Sequence, residues 1–310
     1  MNLRPYIQIA RPDHWFKNVF MLPGLAIATL METNIPQDSL KNAVIGFISA
    51  SLVASANYVI NEYIDAEFDR HHPTKKNRPA AAGLVTLRFV VLQYILLVCV
   101  GLALAMYVGR LFTATAAFLL VMGVIYNVPP IRSKDYIYVD VLTESINNPI
   151  RLVLGWGIVI ETYLPPASAL LCYWFGGAFL MAVKRFSEYR FINDHERAGL
   201  YRRSFAHYTA DRLLLSSFFY AITSSLFLGI FLIKYRIEFI MSFPLFAALF
   251  TWYLKIGLQH NSPAQRPQQL FTQVGFMVFV ALLAVFVMAL FFLDIPILHT
   301  IFTRNIGFSW

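Results

Sequence analysis

The chain has 310 residues, of which 58% are apolar and 14% charged, with 28 Phe. Soluble domains carry about 25% charged residues, so this composition excludes disordered, fibrous and soluble-domain readings and makes lipid the solvent for most of the surface. The formal net charge is +8, and the 2 cysteines, Cys99 and Cys172, both lie in apolar runs, which excludes a disulfide framework and a thiolate metal site.

A helix crossing about 30 Å of hydrocarbon needs about 20 apolar residues. In chain order, nine segments are expected to cross, forming a single all-α membrane domain over residues 1–310. Residues 18–31 make a short first span, kinked at Pro23-Gly24 and completed by the amphipathic stretch before it. Residues 43–61, 89–109 and 111–131 follow without a charged side chain. Residues 136–160 form a fifth span despite Asp140, Glu144 and Arg151. The rest cover 162–183, 213–233, 239–254 and 268–293.

Nine spans place the termini on opposite sides. The N-terminal arm and the loops after spans two, four, six and eight hold 19 of the 25 Lys and Arg residues, against 5 on the other face (Lys41, Arg110, Lys234, Arg236 and Arg304). Cytoplasmic loops retain cations, so the N-terminus is expected in the cytoplasm, and no cleavable signal peptide is visible. The basic face follows from this bias and from attraction to anionic lipid. No nucleic-acid module, nucleotide loop or zinc spacing is present, and nucleic acid is not an expected partner.

Span two runs into Asn61-Glu62-Tyr63-Ile64-Asp65-Ala66-Glu67-Phe68-Asp69-Arg70. At 100° per residue, Asn61, Asp65 and Asp69 fall within about 80° of one another and Glu62 within about 100°. Like charges at this spacing destabilise a helix, so the stripe needs a cation. Mg²⁺ or Mn²⁺ suits it, because Mg²⁺ prefers carboxylate and water oxygens and is commonly shared with substrate phosphates. The competing reading is a solvated helix end paired with Arg70, Lys75 and Lys76. The next loop, His71 to Pro79, adds Lys75, Lys76 and Arg78, cations that a metal-bound diphosphate requires. His71 and His72 are adjacent and diverge, so neither is expected to ligate metal, and replacing either with Gln is expected to cost little.

In span five, Asp140, Glu144, Asn147 and Arg151 share one stripe, which either lines a polar cavity or pairs internally. Span six closes with Lys184-Arg185-Phe186-Ser187-Glu188, cationic where span two ends acidic. Both ends lie on one side of the membrane and can close over one cavity.

At these residues the sequence resembles the UbiA superfamily of intramembrane prenyltransferases, whose second span ends in Asn-Asp-x-x-Asp-x-x-x-Asp. Within it the resemblance is closest to the decaprenyl-phosphate phosphoribosyltransferase branch. It is carried by Arg11-Pro12-Asp13-His14-Trp15-Phe16-Lys17-Asn18, then by residues 61–79, 126–155 and 184–188, in family order. It implies a nine-helix bundle with a central polar cavity open to the cytoplasmic side of a bacterial inner membrane. It further implies transfer of 5-phosphoribose from phosphoribosyl pyrophosphate to a polyprenyl phosphate, releasing pyrophosphate. Asn61, Asp65 and Asp69 would be catalytic and, with Glu62, would hold the metal. Lys17, Arg70, Lys75, Arg78, Tyr126, Arg132, Lys134, Arg151, Lys184, Arg185 and Glu188 would surround the substrates. Two positions depart from the pattern: Glu62 replaces Asp, and Asn147-Asn148-Pro149-Ile150-Arg151 stands where the branch has Gly-Phe-x-x-Arg.

Two other functions compete. A conventional family member alkylates an aromatic ring with a prenyl diphosphate and has a second Asp-rich motif after span six, where this chain has Lys184 and Arg185. A cationic second site instead suits the joining of two anions, which repel without cations between them. An organic-anion transporter would share the intramembrane charges but has no need of the carboxylate stripe.

Overall fold

The computed structural model describes residues 3–235, 237–265 and 267–302. Arg236, Arg266 and Arg304, counted above for orientation, lie outside them. Among the described residues every regular element is helical. A short α1 (Arg4–Ala10) leads through a 3-10 helix (Pro12–Met21) into α2 (Leu22–Met31). Then come α3 (Ser39–Ile64), α4 (Ala66–Asp69), α5 (Leu87–Val108), α6 (Arg110–Asn127), α7 (Val139–Ser145) and α8 (Asn147–Trp156). The second half contains α9 (Ala167–Ile192), α10 (His195–Tyr201), α11 (Ala210–Tyr235), α12 (Phe243–Gly257), α13 (Val274–Leu290) and α14 (Pro296–Phe302).

Six helical segments are long and apolar enough to cross a bilayer: Ser39–Ile64, Leu87–Val108, Arg110–Asn127, Ala167–Ile192, Ala210–Tyr235 and Ile237–Gly257. The first, fifth and ninth expected spans take other forms. The first is a 3-10 helix followed by the 10-residue α2, with Pro23 in its opening turn. The fifth divides at Ile146 into α7 and α8. Pro149 explains the division, since it has no N–H to give the Ser145 carbonyl and its ring crowds that oxygen. The ninth is the 17-residue α13.

Two apolar cores hold the bundle. One joins α2, α3, α5, α6 and α8 through Ala28, Val53, Ala105, Phe112, Leu119, Leu154 and Trp156. The other joins α9 to α11, α12 and α13 through Phe179, Val183, Tyr220, Tyr253 and Phe276. Outward faces are equally apolar: Leu92 and Leu96 on α5, Phe218 and Leu226 on α11, and Leu282 and Val285 on α13 are all exposed. Only 17% of the apolar window of α5 is buried inside the protein. Such surfaces are stable against lipid and not against water, so this is an integral membrane protein.

α2 and α8 approach through reciprocal glycines. A Cβ on Gly24 would lie 2.0 Å from the Leu152 carbonyl oxygen, and one on Gly155 would lie 1.9 Å from that of Met21. Neither backbone can yield alone. Gly155→Ala is therefore expected to cost at least about 1–3 kcal/mol, read as a lower thermal midpoint in detergent. Gly229, with nothing within 4 Å of an added Cβ, is the control, and equal midpoints for both alanine variants would contradict this packing.

Candidate active site

The acid stripe sits where α3 ends. Asp65 caps α3, and the Asp69 N–H donates to its carbonyl at 2.8 Å, so the helical path continues into α4. The stripe spacing expected from the sequence therefore survives the break. The carboxylates do not converge, however. Each meets its own surroundings, and the oxygens of Glu62, Asp65 and Asp69 form no three-ligand group within 4.8 Å.

Asp65 accepts from Lys134 Nζ at 2.6 Å, Arg132 Nη2 at 2.9 Å and Asn61 Nδ2 at 3.3 Å. Asn127, at the end of α6, accepts on its side-chain oxygen from Lys134 at 2.8 Å and also from Asn61. Arg132 is steadied by Asp135 at 3.1 Å. Burial pushes the Asp65 carboxyl upward, but Lys134 and Arg132 outweigh it and hold it below the ordinary carboxylate range. Burial also brings Lys134 down to about 8. Asp69 is taken by Arg78 Nη1 at 2.7 Å. Glu62, 3% exposed, lies apart beside Arg11 and Arg78.

The second group centres on Arg185, 2% exposed. Its guanidinium contacts Glu144, the Tyr126 hydroxyl at 3.1 Å, Glu188 at 3.4 Å and Asp140 at 3.5 Å. Asp140, fully buried, also accepts from Tyr208 at 2.8 Å and Ser204 at 3.3 Å. Glu188 accepts from Lys75 and from the Tyr201 hydroxyl at 3.1 Å. The α7 carboxylates are thus paired with Arg185 of α9, and not with Arg151 of their own stripe as an internal pairing would have it, and α9 is tied to the loop after α4.

A third group holds surplus cations. Arg151 donates to Asn18 Oδ1 at 3.0 Å, and Lys17 reaches the Tyr58 hydroxyl at 3.5 Å. Lys184, half-buried, has no hydrogen bond or ion pair among the described residues. Lys17 and Lys184 share the field of Glu144, and Arg151 adds to that of Lys17. Lys17 and Lys184 thus share one carboxylate already committed to Arg185, and Arg151 pairs with no carboxylate among the described residues. Arg70, expected near substrate, is exposed and donates to the Ala81 carbonyl at 3.4 Å.

Sequence reasoning missed Asn127, Tyr201, Arg202 and His72. Arg202 was counted only as a topological cation, yet it reaches the Tyr126 hydroxyl at 3.2 Å. His72 is buried, and its Nδ1 accepts the backbone N–H groups of Thr74 and Lys75, each at 3.2 Å. Its Nε2 faces Glu188 at 3.5 Å. Burial holds the ring's pKa below its ordinary value, so the neutral tautomer carries its proton on Nε2. That ring organises the loop and has no free nitrogen with which to take a proton.

Asn61, Asp65 and Asp69 supply only oxygen donors on consecutive turns of one helical path, the donor chemistry that suits a hard divalent cation. Lys134, Arg132 and Arg78 beside them fit the remaining oxygens of a diphosphate.

Comparison with known proteins identifies the family of the chain as a whole. The family model described as UbiA prenyltransferase family matches residues 19–283. A decaprenyl-phosphate phosphoribosyltransferase from Corynebacterium glutamicum is 30% identical over 216 residues, 67% of this chain and 60% of that one. One from Mycolicibacterium smegmatis is 32% identical over 210 residues, 67% of this chain and 63% of that one. The match thus spans less than two thirds of either relative. A solved UbiA homolog from Archaeoglobus fulgidus, bound to GPP and Mg²⁺, superimposes with a TM-score of 0.70 at 21% identity, covering 93% of this chain and 100% of that one.

Proposed function

The chain belongs to the UbiA prenyltransferase family, and on that premise we propose that it transfers 5-phosphoribose from phosphoribosyl pyrophosphate to a polyprenyl phosphate, releasing pyrophosphate. The observation that carries this reading is the surplus of cations, Lys17, Arg151 and Lys184, facing an acid stripe that has its own cations. A prenyl diphosphate joined to an aromatic acid brings one polyanion and a single carboxylate. A sugar diphosphate and a lipid phosphate bring a diphosphate and two phosphate monoesters, and that larger negative charge needs both cation groups. The phosphoribosyltransferase relatives support the same choice.

Asn61, Asp65 and Asp69 would hold Mg²⁺ or Mn²⁺, which when bound would supply Lewis-acid stabilisation to the departing pyrophosphate. Arg132, Lys134 and Arg78 neutralise the pyrophosphate oxygens, while Lys184, Lys17 and Arg151 orient the lipid phosphate. A lipid phosphate oxygen forms a bond to the anomeric carbon as the bond from that carbon to pyrophosphate breaks. The second pKa of such a phosphate is about 6, so the nucleophile is already ionised at neutral pH and no base is needed. His72, with Nδ1 committed to the backbone, fits that account. Catalysis then rests on orientation and on electrostatic stabilisation.

The reaction takes place in a bacterial inner membrane, with nine crossings, the cavity and the N-terminus facing the cytoplasm, as the cation asymmetry supports. The second reading, prenyl transfer to an aromatic acid, draws on the fold shared with the GPP-bound Archaeoglobus protein. One assay separates the two. Purified protein is given phosphoribosyl pyrophosphate with a polyprenyl phosphate, or a prenyl diphosphate with an aromatic acid, and pyrophosphate is measured. Release only from the second pair overturns the proposal.

Lys134 adds a pH signature. Its proton is lost as the pH rises through about 8, so kcat/KM for the diphosphate donor is expected to fall above that pH. Arginine keeps its proton there, and Lys134→Arg should move the fall upward by more than one pH unit. An unshifted profile would separate Lys134 from donor binding.

A further inference from the structure

Beside the acid stripe, a chamber of about 550 Å³ opens between the N-terminal arm and the loop after α4. Arg11, Glu62, Thr74, Asn77 and Arg78 are among its lining residues. Glu62 is 3% exposed, and its Oε1 has no hydrogen-bond partner among the described residues. A buried carboxylate oxygen loses its hydration, and although Arg11 and Arg78 lie nearby, no hydrogen bond to Oε1 replaces that hydration among the described residues. Arg78 uses Nη1 on Asp69 and Arg11 uses Nη2 on His14 at 3.2 Å, so each guanidinium keeps further N–H groups for an anion. Arg11 also stands in the left-handed region at φ 53° and ψ 55°. Residues other than glycine rarely adopt that conformation, and such strain clusters at ligand sites. Asp13, at the rim, is engaged by Gln268 at 2.8 Å.

Two guanidinium groups call for an anion, and the unpartnered carboxylate oxygen calls for a hydroxyl donor. A prenyl diphosphate offers the first and not the second. A phosphorylated pentose offers both. We propose that this chamber is the subsite for the 5-phosphate end of the sugar donor, with Arg11 and Arg78 holding the phosphate monoester and Glu62 Oε1 accepting a ribose hydroxyl. The assignment rests on the phosphoribosyl reading. Arg78 contacts both the chamber and Asp69, so it joins the sugar end to the pyrophosphate end of one substrate.

Ribose 5-phosphate is the probe, because it lacks the pyrophosphate and binds without metal. With chelator present, it should raise the thermal midpoint of the purified full-length protein saturably. Arg11→Asn removes the cation while keeping a residue that tolerates the left-handed backbone. It is expected to weaken ribose 5-phosphate binding by about tenfold or more, the scale of a lost charge-assisted contact. Glu62→Gln is expected to weaken it as well and serves alone if Arg11→Asn does not elute as folded protein. In turnover both variants should raise KM for phosphoribosyl pyrophosphate and leave KM for the lipid phosphate unchanged. The subsite is overturned if ribose 5-phosphate does not bind the unaltered protein, or binds the variants equally well. Absence of turnover with retained, Arg11-dependent ribose 5-phosphate binding removes the phosphoribosyl reading alone. Turnover with both KM values unchanged in the variants removes the subsite alone.

Discussion

Asp65→Asn is expected to lower turnover at saturating substrate by at least about 100-fold, in a protein that still elutes as the unaltered one does. The carboxylate has two tasks: it is a proposed ligand of the divalent ion, and it is the counter-charge for Lys134 and Arg132 at 2.6 and 2.9 Å. The amide keeps the shape and removes the charge. Loss of one preorganised electrostatic group at a reacting centre costs about 10²–10³ in rate, and a weakened Lewis acid adds to it. The same variant reports on stability. Because the folded carboxyl lies below its ordinary value, its contribution is present above about pH 4 and is lost as the pH falls through the folded value. The difference in thermal midpoint between the two proteins should therefore be present at pH 7 and shrink in acid. Turnover within threefold of normal would remove Asp65 from the chemistry.

Arg185→Leu is expected to abolish recovery of folded protein. Asp140, Glu144 and Glu188 all lie against this one guanidinium, and Asp140 has no exposure. Removing one partner of a buried ion pair costs about 3–5 kcal/mol, because the other charge remains without compensation. Three carboxylates are left here, in a domain whose total stability is about 5–15 kcal/mol. Arg202 at 3.8 Å from Asp140 cannot replace the lost contacts. Lys184→Ala, one residue earlier and without an ion-pair partner among the described residues, is the control, and it should be recovered normally. Equal recovery of the two variants, with equal thermal midpoints, would show that the network contributes nothing to folding. The contrast also divides the two neighbours by role: the charge of Arg185 is spent on protein carboxylates, and that of Lys184 is available to substrate.

Composition and periodicity were enough to read the solvent, the fold class and the position of the candidate site's acid stripe along the chain. An excess of apolar over charged residues admits no other solvent than lipid for a chain of this length. Five of the charge-free stretches, 43–61, 89–109, 111–131, 162–183 and 213–233, fall largely within helices long enough to cross, because a helix in hydrocarbon satisfies its own backbone and only its length and apolarity are selected. The acid stripe at residues 61–69 and the cationic end of α9 were legible for a local reason: helical periodicity places residues four apart on one face whatever the rest of the chain does. Pro149 was legible too, but its effect was not. A proline removes one backbone hydrogen bond and crowds a carbonyl, but whether the chain then kinks or divides into two helices, as it does at Ile146, depends on tertiary packing.

Tertiary structure alone decided which charges pair. Lys134 lies 69 residues from Asp65, and Lys75 lies 113 residues from Glu188. No spacing rule encodes contacts across such separations. For the same reason Asn127 and Tyr201 carried no signal in the sequence, and Glu62 could be counted with its neighbours on the stripe although it opens to a different chamber. A helix face specifies direction to within about a quarter turn. The distances of 2.6 to 3.5 Å on which ionisation and binding depend are set by how several helix ends and loops close on one another, because electrostatic interactions in a low-dielectric interior change steeply over a few ångströms.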